Sequence, residues 1–96
     1  MARDDLMEIA LYIAEDRPQR ALSFVQELEQ TCERLARAPG IGAARPELGH
    51  RVRMQPHGRY LIFYRQVGEQ LRIERILHSA RNIGAEDLSP PADDGH

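Results

Sequence analysis

The sequence predicts an α+β domain in which an antiparallel helical hairpin packs on one face of a small antiparallel β-sheet. Three observations carry that prediction. Apolar residues recur at helical spacing through the first third of the chain, interrupted once by a proline. From Arg59 to Arg81 the pattern changes to a β-branched and aromatic run that alternates around a central glycine. Only a few residues separate consecutive elements in each half, and short connections favour antiparallel neighbours.

Leu6, Ile9, Ala10 and Ile13 fall at i, i+3, i+4 and i+7, one face of a first helix. Asp4, Asp5 and Glu8 sit in its first turns, where the helix dipole favours negative charge. Asp16-Arg17-Pro18-Gln19 breaks and restarts the helix. Asp16 is the expected cap, Gln19 stands where a capping box places its second member, and proline is tolerated in a first turn. A second helix carries Ala21, Phe24, Val25, Leu28, Cys32 and Leu35 on its apolar stripe and is expected to end at Ala38-Pro39-Gly40, with Gly40 as a left-handed cap. Residues 38–49 read as loop, punctuated by glycine and proline. A short strand from His50 to Gln55 follows, with Val52 and Met54 on one side and Arg51, Arg53 and Gln55 on the other. Pro56-His57-Gly58 turns the chain into the hairpin of Arg59 to Arg65 and Leu71 to His78, closed by Val67-Gly68-Glu69-Gln70. Gly68 supplies the positive φ that a tight hairpin needs. Tyr60 and Tyr64 share a face with Ile62, which marks them as core. The expected organisation is one domain over residues 1–88, with a disordered tail over 89–96, where Pro90-Pro91 and Asp93-Asp94 replace any apolar pattern.

With 42% hydrophobic and 29% charged residues, the chain belongs with folded globular domains rather than disordered ones. Cys32 is the single cysteine, which excludes an internal disulfide, and its place on the apolar stripe of the second helix marks it as a buried small hydrophobe rather than a reactive thiol. No segment has the length or apolarity of a membrane span or a signal peptide, and a cytoplasmic protein is expected. The net charge of -2 conceals a segregation, and all 13 basic residues are arginine. Residues 1–37 are mildly acidic; from Arg45 to Arg81, arginines are opposed only by Glu47, Glu69 and Glu74; the remaining tail is acidic. Such a balance fits an anionic partner on the sheet, or exposed strand positions that hold solubilising charge. His50 and His57 have no carboxylate or cysteine at metal spacing, so neither a metal nor a cofactor is expected.

In order along the chain stand Asp5-Leu6-x-x-Ile9-x-x-Tyr12-Ile13-Ala14, Leu35-x-x-x-Pro39-x-Ile41-Gly42, Arg45-Pro46-Glu47-Leu48-Gly49, Val52-Arg53, Tyr60-Leu61-Ile62-Phe63-Tyr64-Arg65 and Arg75-Ile76-Leu77-His78-x-x-Arg81. This ordered set, over residues 4–82, resembles the ParE branch of the RelE/ParE toxins of bacterial type II toxin–antitoxin systems. The resemblance implies the same helical hairpin on an antiparallel sheet. Members usually carry a strand ahead of the segment seen here as Ala2-Arg3-Asp4-Asp5-Leu6. Either it lies upstream of Met1 or this chain lacks it, which would leave an unpaired sheet edge.

The resemblance also implies function, along two branches. RelE-like members are ribosome-dependent mRNA endoribonucleases, and 2′-hydroxyl attack on a phosphate needs cations, a base and an acid. Here Arg53, Arg59 and Arg81 are the candidate cations and His78 the candidate acid or base. That set contains no lysine, and no tyrosine follows Arg81. ParE-like members inhibit DNA gyrase by binding, without catalysis, and the segment Arg75 to Arg81 is more similar to theirs. On that reading Arg59, His78 and Arg81 lie on the toxic surface, with arginine forks for carboxylate or phosphate. Both branches imply a cognate antitoxin, of ParD type for ParE, and a third reading is an inactive module that only engages that antitoxin. His78 also has a structural reading, as a hydrogen-bonded histidine at a strand end, and Arg81 one as an anchor for the C-terminal segment.

Overall fold

The computed structural model describes residues 2–80, Gly84 and Leu88. Helices α1 (Ala2–Asp16) and α2 (Pro18–Arg37) are followed by β1 (Ala43–Ala44), a 3-10 turn (Pro46–Leu48), β2 (Arg53–His57), β3 (Tyr60–Val67) and β4 (Gln70–His78). The strands form one antiparallel sheet in the order β1-β2-β3-β4. The α+β architecture read from the sequence is therefore the one observed. Arg81 and residues 89–96 lie outside the described residues.

Side chains alternate across β3 and so divide the interior in two. Ile62 and Tyr64, with Ile76 of β4, meet Phe24, Leu28 and Leu35 of α2, and Leu6, Ile9, Ile13 and Tyr60 close around them. On the other face Leu61, Phe63 and Leu77 pack with Leu48, Val52, Met54 and Leu88. The sequence predicts a cover for the helical face alone. The second face is buried by the 3-10 turn and by Leu88, a lone apolar residue where the periodicity fades.

Four local expectations change. Asp16 is the last residue of α1, and Arg17 is the N-cap of α2, without a side-chain cap hydrogen bond; Pro18 opens the helix. At the other end Ala38 is the C-cap and donates its N–H to the Arg34 carbonyl, while Gly40 has no left-handed φ. The predicted loop contains β1, which pairs Ala43 with Met54 and Ala44 with Arg53. Two alanines in a glycine-rich stretch carry no strand signal of their own. Finally β2 begins at Arg53 rather than His50, because a turn with Arg51 at φ 60° precedes it. It runs on through Pro56, opposite Leu61. Pro56 lies past the end of β1, where β2 is an edge and proline's missing N–H breaks no ladder.

Three buried polar contacts tie the elements together. Asp5, buried on α1, receives Arg75 of β4 through two hydrogen bonds, Nε–Oδ2 at 2.7 Å and Nη2–Oδ1 at 2.9 Å. Its Oδ2 also accepts the Ile76 N–H at 3.0 Å. The buried Tyr64 hydroxyl donates to the Pro39 carbonyl at 2.8 Å and accepts the Gly42 N–H at 2.9 Å, which ties the loop after α2 to β3. A Cβ on Gly42 would meet that hydroxyl oxygen at 2.5 Å, so the position has no room for a side chain. In β4, Glu74 is the extra residue of a bulge, since Phe63 pairs with Arg75 and Tyr64 with Ile73. Its buried carboxylate lies 2.9 Å from Arg72 Nε and 3.4 Å from Arg65 Nε. Arg65 and Arg72 are direct cross-strand partners, so the bulged carboxylate separates two like charges that would otherwise repel.

Candidate functional site

The two hairpins bring two of the candidate residues, Arg59 and His78, to one end of the sheet. His57 pairs with Tyr60 across a two-residue turn, Gly58-Arg59, in which Gly58 has φ 59°. Tyr60 in turn pairs with His78, and the Ser79 N–H donates to the Arg59 carbonyl at 2.8 Å. Arg59 and His78 are thus neighbours, both exposed. A string of rings supports them from beneath. Phe24 of α2 makes edge contacts with His57 at 5.6 Å and Tyr60 at 5.3 Å, and Tyr60 makes another with His78 at 5.3 Å.

His78 Nδ1 accepts the Ala80 N–H at 3.0 Å, so the neutral ring carries its proton on Nε2, and that nitrogen alone is left for a ligand. His57 has a different part. It links β2 to α2, with Nε2 3.3 Å from Glu27 Oε1 and Nδ1 3.4 Å from the Thr31 hydroxyl. Glu27 is held below the usual carboxylate range, chiefly by the hydrogen bond from Arg20 at 2.8 Å. Cys32 is half-buried, and burial pushes its thiol up, away from the reactive thiolate.

Arg53 is not part of this cluster. It opens β2 while Arg59 follows its end, and His57 stands four strand steps on from Arg53, about 13 Å away. Its Nη1 donates to the Gly42 carbonyl at 2.6 Å. Arg81 lies outside the described residues. The other sheet arginines are largely committed: Arg45 to Glu47, Arg65 and Arg72 to Glu74, Arg75 to Asp5. Four of the eight arginines between Arg45 and Arg81 are therefore held in ion pairs, while Arg51 and Arg59 are exposed and have no carboxylate partner among the described residues.

A cleft of about 430 Å³ opens beside Arg59, between the α1–α2 junction and the β2–β3 turn. Tyr12, Arg17 and Arg20 line it together with Arg59 and Tyr60. The sequence does not single out Tyr12 or Arg17 as functional. The available signal is an aromatic residue lying off the Leu6-Ile9-Ile13 stripe, and Tyr12 is 71% exposed. Among the described residues no group of three His, Cys, Asp or Glu side chains is placed to hold a metal ion, and no helix is long and apolar enough to cross a membrane.

A helical hairpin on an antiparallel meander is the form expected of a RelE/ParE-like toxin domain. A profile of the family described as "ParE toxin of type II toxin-antitoxin system, parDE" matches residues 1–83. The chain is also 35% identical over 86 residues to Toxin ParE1 of Caulobacter vibrioides, with 88% of each chain covered. The chain belongs to the ParE toxin family. As a toxin of a type II toxin–antitoxin system it has an antitoxin as its counterpart.

Proposed function

We propose that the protein acts by binding, as an inhibitor of DNA gyrase in the cytoplasm, held in check by a ParD-like antitoxin, and that it catalyses no reaction itself. Arg59, His78 and Arg81 form the toxic surface. The observation that carries binding over RNA cleavage is the separation of Arg53 from Arg59 and His78. A phosphoryl-transfer site needs its cations and its acid–base group around one phosphate, and Arg53 is instead spent on the Gly42 carbonyl. The exposed apolar side chains Met7, Leu11 and Leu22 on the helices support a docked antitoxin segment, since an amphipathic partner would cover them.

The test is a supercoiling assay with purified gyrase, ATP and relaxed plasmid. Added protein should make cleaved plasmid accumulate, the antitoxin should reverse it, and Arg59→Ala should shift the required concentration upward by about tenfold. Unchanged supercoiling at saturating protein would remove gyrase as the target. Messenger RNA cut in a translating ribosome mixture would assign the chain to the other branch.

A further inference from the structure

The cleft beside Arg59 has a composition that names its ligand. Its floor and walls are aromatic: Phe24 is buried, Tyr60 half-buried and Tyr12 exposed. Its charged rim holds Arg17 and Arg59 against Asp16. Neither Arg17 nor Arg59 makes a side-chain hydrogen bond or ion pair with a described residue. Arg20, by contrast, is already occupied by Glu27 and lies over the Phe24 ring, 5.8 Å from its centroid. Two unengaged guanidiniums therefore face one cleft, on a wall that offers ring surface.

We infer that this cleft receives a carboxylate-bearing peptide segment of a partner protein, with an apolar or aromatic side chain beside the acid. The inference rests on the reading above that the Arg59 end of the sheet meets the partner, and it states the chemistry of that contact. Arg17 and Arg59 approach from separate elements, the α1–α2 junction and the β2–β3 turn, and together fork one carboxylate. The neighbouring ring of the peptide lies against Tyr12 and Tyr60 and excludes water from the pair. A nucleic-acid strand fits less well. Its backbone carries closely spaced phosphates, about one charge per 1.7 Å of duplex, and requires a row of free cations. Here Asp16 stands on the rim and Glu27 neutralises Arg20, so the local excess of positive charge suits a single acid.

The experiment is an NMR titration of the isotopically labelled full chain, following backbone amides. The probes are the blocked tripeptide Phe-Glu-Phe, its Phe-Gln-Phe counterpart and a thymidine dodecamer. The acidic tripeptide should shift the amides of Arg17, Gly58, Arg59 and Tyr60, and the glutamine counterpart should bind about fivefold more weakly, the size an exposed charge pair carries. Arg17→Gln combined with Arg59→Gln should lose the same factor while the thermal midpoint stays unchanged, because both side chains are exposed and unengaged. Equal binding of the two tripeptides, shifts scattered away from the cleft, undiminished binding by the double variant, or shifts at these amides with the dodecamer alone would each overturn the inference. Gyrase is absent from this measurement. Cleft binding with unaffected supercoiling would remove the gyrase reading only, and the reverse result would remove the carboxylate cleft only.

Discussion

Asp5 is the residue on which the two layers depend most directly. It satisfies the Arg75 guanidinium and the Ile76 N–H at once, on a carboxylate that is nearly buried. Removing Asp5 takes from a largely buried guanidinium its carboxylate partner. Asp5→Ala is expected to destabilise the fold by about 3 kcal/mol, measured by urea denaturation. Tyr64→Phe keeps the ring in the core but leaves the Pro39 carbonyl and Gly42 N–H without that partner, at a cost of about 1–2 kcal/mol by the same measurement. Glu27 gives a pH signature. Its folded carboxyl titrates below the ordinary value, so its link to Arg20 and His57 is fully present above the unfolded glutamate pKa, about 4.3, and is lost as pH falls through the folded value. The thermal midpoints of wild type and Glu27→Gln should therefore converge on acidification from about pH 6 to pH 3. A gap that persists at the acid end would show that another group carries the effect.

At the scale of elements, the hairpins set the positions of the functional side chains. The β3–β4 turn requires Gly68 at φ 62°, and a Cβ there would meet nothing within 4 Å, so substitution is opposed by backbone strain alone. Gly68→Ala should cost about 1 kcal/mol, readable as a midpoint shift of about 5 °C, without moving His78 relative to Tyr60. The bulge at Glu74 is more sensitive. Glu74→Ala withdraws the carboxylate between Arg65 and Arg72, and a loss of about 3 kcal/mol in urea denaturation is expected. A smaller loss would mean that Arg65 is adequately held by its remaining contacts.

For the whole molecule, what the amino-acid sequence determines by itself is pattern. Helical periodicity, the proline at the helix junction and the alternating run after Arg59 determine the α+β architecture, the order of its elements and the β3–β4 turn. Those signals are local, set by the 3.6- and 2-residue periods of the backbone. The ordered motif set likewise points to the family that the comparisons establish. Asp5, Arg75, Pro39 and Gly42 all belong to that set, and the fold gives each a physical reason. The rest is decided by contacts between residues far apart in the chain. A sum over arginines cannot tell that Arg65, Arg72 and Arg75 are internally paired while Arg59 is not, since their acids lie on other elements or in a bulge. It cannot divide Arg53 from Arg59, because both read as basic residues on neighbouring strands. The second core under Leu48 and Leu88, the two-residue β1, and the cleft joining Arg17 to Arg59 have no period to announce them. Each exists only where tertiary packing brings separate segments together, and only the tertiary structure decided them.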